Sequence, residues 1–91
     1  MRIRRPSVCG SLESNDILIR LQPAERTLEI ELESIVKVQF GDAIELVIRR
    51  TLEELGVEGV AVFATDKGAL DCTIRARVET AVARAMDEVA S

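Results

Sequence analysis

Leu12-Glu13-Ser14-Asn15-Asp16 is a polar break between two strand-like runs. Ser7-Val8-Cys9-Gly10-Ser11-Leu12 precedes it, with apolar residues at Val8 and Leu12. Ile17-Leu18-Ile19-Arg20-Leu21 follows it and places Ile17, Ile19 and Leu21 on one strand face. Two such runs around polar residues read as a β-hairpin over residues 7–21. Ser-Asn at the centre suits a tight turn. The favoured short turns need positive φ, which Asn accepts better than any residue except Gly. A side chain at such a tip points into water, so Ser14 is expected as a hydroxyl held out on a stiff element. Turn chemistry alone gives it no further role, because Ser is a common turn former.

Outward from the hairpin, Gln22-Pro23-Ala24-Glu25-Arg26 reads as a connector broken by Pro23. Thr27-Leu28-Glu29-Ile30-Glu31-Leu32-Glu33 then alternates with period two. Leu28, Ile30 and Leu32 are expected toward a core, and Glu29, Glu31 and Glu33 away from it. Alternate strand residues lie about 7 Å apart, so neighbouring glutamates repel by about 0.6 kcal/mol in water. That face is expected to stay wet or to meet a basic surface.

Ser34 is placed to cap a helix spanning 35–55, with Phe40, Ile44, Val47, Ile48, Leu52 and Leu55 as its apolar stripe. Gly56 is expected to end it. Gly59-Val60-Ala61-Val62-Phe63-Ala64 is apolar on both faces and reads as an interior strand, parallel to the strand of 27–33. After a turn at Thr65-Asp66-Lys67-Gly68, a second helix is expected from Ala69 to Val89, burying Leu70, Ile74, Val78, Ala81, Val82, Ala85 and Val89. The order is β-β-β-α-β-α. Such a set packs as an α+β two-layer sandwich, a four-stranded mixed sheet with two helices on one face.

The chain of 91 residues is expected to form a single domain spanning 1–91. Met1-Arg2-Ile3-Arg4-Arg5-Pro6 reads as a flexible N-terminal arm, residues 1–6, and carries no secretion signal. The longest apolar run, Val60 to Ala64, is too short to span a membrane, and the chain is expected to be cytoplasmic. With a net charge of −4, only two aromatics, Phe40 and Phe63, and no Trp or Tyr to anchor nucleobases, it is not expected to bind nucleic acid. His is absent, which removes the commonest general base and metal ligand. Cys9 and Cys72 have no metal-site spacing and read as small buried hydrophobes. Ser14 has no Gly-x-Ser-x-Gly elbow and no His to activate it, so intrinsic hydrolase chemistry is excluded. Glu13 and Asp16 flank it, but a bare tip offers no cleft to shift their pKa values. Catalytic residues and metal ligands are therefore expected to be none.

Three blocks carry a resemblance across nearly the whole chain. They are Gly10-x-Leu12-Glu13-Ser14-Asn15-Asp16, Gln39-Phe40-Gly41-Asp42-Ala43-Ile44, and Asp66-Lys67-Gly68-Ala69-Leu70-Asp71-Cys72 with Ile74-Arg75-Ala76-Arg77. In this order they resemble the acyl carrier protein, or gamma subunit, of citrate lyase. The resemblance implies a non-catalytic carrier whose Ser14 holds a phosphoribosyl-dephospho-coenzyme A group through a phosphodiester. Glu13, Asn15 and Asp16 would then be recognised by the transferase that modifies Ser14. Asn15 stands where the family often has Gly, and both accept positive φ. The implied partners are the alpha (acyl transferase) and beta (citryl lyase) subunits. The acyl carrier subunit of malonate decarboxylase is the nearest alternative. A small α+β interaction module without a prosthetic group, using the glutamate face, is another.

Overall fold

In the computed structural model, which describes residues 1–25, 28–35 and 37–86, the sequence folds as β1 (Ser7–Gly10), β2 (Ile17–Pro23), β3 (Glu29–Ser34), α1 (Lys37–Glu54), β4 (Val60–Asp66) and α2 (Asp71–Met86). The strands form one mixed sheet in the order β1-β2-β4-β3. β2 runs antiparallel to both β1 and β4, while β3 and β4 are parallel and α1 crosses between them. Both helices cover one face, as the element order led us to expect.

Strand alternation decides what faces them. Ile17, Ile19 and Leu21 on β2 and Val60, Val62 and Ala64 on β4 are buried against Ile44, Ile48 and Leu52 of α1 and Ile74, Val78 and Ala81 of α2. On β3, Leu32 is buried and Ile30 is half-buried, as is Leu28 just before the strand, whereas Glu29, Glu31 and Glu33 are exposed. The face expected from the period-two pattern is the face observed. On β1 the inward residue is Cys9, paired with Ile19, while Val8 and Leu12 are exposed. α1 closes with Gly56 at φ 72, its N–H donating to the carbonyl of Glu53 and that of Val57 to Leu52. This pair of bonds is the Schellman ending.

Four expectations need correction. Leu70 is 69% exposed because its carbonyl accepts the first bonds of α2, from Thr73 and Ile74; it caps the helix and lies outside the buried stripe. Phe40, a full turn before Ile44, the first buried hydrophobic side chain of α1, is 53% exposed. Cys9 is buried as read, but Cys72 is exposed, since it lies off the stripe begun by Ile74. The first six residues, read as an arm, lie against the body of the protein. Ile3 is buried, the Arg4 N–H donates to Ala85, and Arg2 bridges to Glu58. The three arginines mask one core residue among them. Residue 36 near the start of the first helix, Thr27, and Val89 lie outside the described residues.

Candidate functional site at the hairpin tip

The connection between β1 and β2 is six residues, 11–16, longer than the minimal hairpin turn. Its apex is a turn in which the Asp16 N–H donates to the Glu13 carbonyl at 3.2 Å. Ser14 and Asn15 are the central pair, and Asn15 takes φ 66. Positive φ at the third position of a turn is the demand that Gly or Asn meets. Ser14 is exposed, and its hydroxyl makes no hydrogen bond among the described residues. Glu13 and Asn15 are exposed beside it.

The backbone beneath that hydroxyl is held from three sides. Ser11 Oγ donates to Asp16 Oδ2 at 2.7 Å and accepts from the Glu13 N–H at 3.2 Å. Asp16 Oδ1 accepts from the Ile17 N–H at 2.7 Å. Arg77, from the second turn of α2, grips the same carboxylate with two donors, Nε at 3.0 Å and Nη2 at 2.9 Å. The planar fork matches a carboxylate in this way and fixes its orientation as well as its position. The Arg77 bonds are the main cause that lowers the Asp16 pKa to about 2, with Ser11 and the Ile17 amide adding to them against partial burial. The expectation of a bare tip with nothing to shift this carboxylate is overturned by Arg77: Asp16 is ionised at neutral pH and serves as an anchor. It is unfit to act as a proton donor there.

The third hold comes from the loop after β4. The Asn15 N–H donates to the Lys67 carbonyl at 2.8 Å, and the Lys67 N–H returns a bond to the Asp16 carbonyl at 2.9 Å. That loop is itself fastened by Asp66, which is only 1% exposed. Its carboxylate accepts from Ser34 Oγ at 2.9 Å and from the N–H groups of Gly68 at 3.1 Å and Ala69 at 3.0 Å. Asp66 therefore joins the end of β3, the end of β4 and the entry to α2, and the hairpin tip rests on the result.

The structure keeps Glu13, Ser14, Asn15 and Asp16 together at the tip, but in two roles. Asp16 is turned into the scaffold, and the other three are presented to solvent. Sequence reasoning missed Ser11, Asp66 and Arg77. Arg77 is 61 positions from Asp16, and nothing local signals that pairing. Its neighbour Arg75 points elsewhere, to Glu54 of α1 at 2.7 Å.

The described residues hold no group of three His, Cys, Asp or Glu side chains able to bind a metal, and none of their helices is long and apolar enough to cross a membrane. An exposed alcohol on an immobilised turn, with no base beside it, lacks what a serine needs to act as a nucleophile by itself.

Residues 4–85 match the family model described as malonate decarboxylase delta subunit. Among curated proteins, the citrate lyase acyl carrier protein of Lacticaseibacillus casei is 55% identical over 87 residues, covering 96% of this chain and 86% of its own length. That of Treponema denticola is 49% identical over 88 residues, covering 97% of this chain and 100% of its own. The chain belongs to the citrate lyase acyl carrier protein family. A structural relative of this carrier lies in a Pseudomonas malonate decarboxylase hetero-tetramer solved in complex with malonate, with a TM-score of 0.77 and 20% identity over 89% of this chain and 84% of that one. At that identity the likeness shows a shared fold.

Proposed function

We propose that this chain is the non-catalytic acyl carrier subunit of a citrate lyase, and that Ser14 is where its prosthetic group, phosphoribosyl-dephospho-coenzyme A, is attached. The observation that carries the reading is the unhindered Ser14 hydroxyl on a turn fixed by Asp16, Arg77 and Lys67. The side chains present fit the group, since a phosphodiester needs an accessible alcohol and no wall above it.

In the attachment step Ser14 Oγ forms a bond to the first phosphorus of a triphosphoribosyl precursor, and pyrophosphate leaves. The hydroxyl proton passes to a base on the modifying transferase, because no described residue bonds to Ser14. Once bound, the group supplies a thiol that carries acetyl and citryl groups between the alpha and beta subunits. This chain's own contribution is placement. The clamped turn gives a tethered group a fixed origin, and tethering holds its end at high effective concentration near both active sites.

Intact mass spectrometry of carrier from a citrate-fermenting source, or co-produced with its transferase, tests the assignment. The expected result is one added phosphoribosyl-dephospho-coenzyme A on the peptide that contains Ser14. In Ser14→Ala the added mass and all lyase activity of the reconstituted complex should disappear, with stability changed by less than about 0.5 kcal/mol. Full activity of that variant ends the reading. The malonate decarboxylase reading is favoured by the family model and the solved neighbour. Turnover of malonate but not citrate, on mixing with the large subunits of each complex, would select it. Absence of any added mass in carrier from the native source would select the bare interaction module.

A further inference from the structure

Phe40 and Leu70 were expected in the core, yet both line an open groove of about 490 Å³. Ala43, Ile44, Gly68 and Ala69 complete its apolar wall. Its edge lies beside the hairpin tip. Gly68, part of its lining, would place a β-carbon 3.6 Å from the Asn15 Oδ1, so the groove opens one residue from Ser14. Resting on the reading of Ser14 as the attachment point, we propose that this groove holds the adenine ring of the prosthetic group against the face of Phe40.

Three observations select that occupant. The volume lies within the range of small-molecule sites and takes a base with part of its sugar. An exposed aromatic ring flanked by aliphatic side chains is a stacking platform for a nucleobase, every one of which has a flat π-face. The polar lining is Asp66, whose carboxylate is occupied by Ser34, Gly68 and Ala69, and the exposed Asp71. Among the described residues, no Lys or Arg side chain lines the groove to pair with a phosphate or a carboxylated acyl group. A neutral adenine needs no such partner, and its amino group can donate to an acceptor such as Asp71. In the prosthetic group the adenosine follows directly on the phosphoribosyl link to Ser14, and the thiol is at the far end. Seating the base beside the tip therefore shortens the free part of the arm to its pantetheine portion and fixes where the swing starts. A weak intrinsic contact suffices, since attachment to the same chain gives an effective concentration in about the millimolar range.

Proton NMR of the modified carrier tests this without reference to activity. The adenine H2 and H8 resonances should lie upfield of those of free dephospho-coenzyme A, and they should show cross-relaxation with the Phe40 ring. In modified Phe40→Leu the upfield shift should be lost. Its mass should still show the group on Ser14, and its amide spectrum should remain folded, because Phe40 is half-exposed. Unmodified carrier titrated with dephospho-coenzyme A should show saturable changes at the Ala69 and Leu70 amides. Adenine shifts in the modified wild type equal to those of free dephospho-coenzyme A overturn the proposal. So do groove resonances that move only when the large subunits are added, which would make the patch a protein-docking surface. Failure of the Ser14 assignment reads out separately, as an unmodified mass, while the titration still reports on the groove.

Discussion

Asp16 shows how one side chain can be legible in kind and illegible in role. Its position in a turn is evident from its neighbours, but its partner Arg77 lies on the last helix. The pairing makes the tip sensitive to acid. The Asp16 pKa falls from 3.8 to about 2 on folding, so the native state binds this proton more weakly than the unfolded chain. Its stabilisation is complete above pH 3.8 and is lost as the pH falls toward 2. Acid titration followed by NMR should therefore show the Asn15 and Ile17 amides shifting with a midpoint near pH 2 in the wild type. The midpoint should move up toward the ordinary carboxylate range in Arg77→Ala, with Ser11 and the Ile17 amide still holding it down in part. Gly10 is another residue whose importance the sequence leaves unstated. It takes φ 104, and a β-carbon there would lie 1.8 Å from the Ile17 carbonyl oxygen. Gly10→Ala should cost about 2 kcal/mol or more and loosen β1. Thiol titration would register it: one reactive cysteine, Cys72, in the native wild type, and two in the variant as Cys9 is uncovered.

Among the elements, those governed by local rules were readable. The alternation of β3 follows from strand geometry, and Gly56 follows from the left-handed residue that ends a helix. What periodicity does not reveal is where the core stops. Phe40 and Leu70 are in phase with their helices, yet one lies a turn before Ile44, the first buried hydrophobic side chain, and the other precedes the first helical turn. Phase assigns a residue to a face, whereas burial depends on whether another element reaches that far. The face assignment of β3 can be checked directly. Leu32→Asp should destabilise by about 3 kcal/mol or more in urea unfolding, by placing an unpaired charge in the core. Glu31→Ala should stay within about 0.5 kcal/mol. The opposite ranking would mean the strand is inverted. At the junction of elements, Asp66→Ala removes three accepted bonds and should cost about 1–3 kcal/mol. Its mark should be faster hydrogen exchange at Asn15, on the other side of the Lys67 contact, while the β2–β4 ladder stays protected.

For the molecule as a whole, the layer architecture was visible in the order of elements, and the strand order β1-β2-β4-β3 was not. Element order constrains which faces must be covered, but several strand orders satisfy it equally well. The observed order puts the hairpin tip next to the β4–α2 loop, because β2 begins where β4 ends: Ile17 pairs with Asp66. The candidate site is a consequence of that one register. It brings the exposed serine, the buried Asp66 and the apolar groove to one end of the sandwich, although they are separated in the sequence.

The same order leaves β3 at the margin of the sheet, with one side of its backbone unmatched. An unmatched strand is an invitation to another copy of itself. Glu29, Glu31 and Glu33 stand along that margin. Two molecules meeting there would crowd six like charges together, which discourages polymerisation at neutral pH. The row that keeps one face of the sheet in water thus also guards its open edge, and exchanging those glutamates for neutral residues would leave the strand open to fibril-like association.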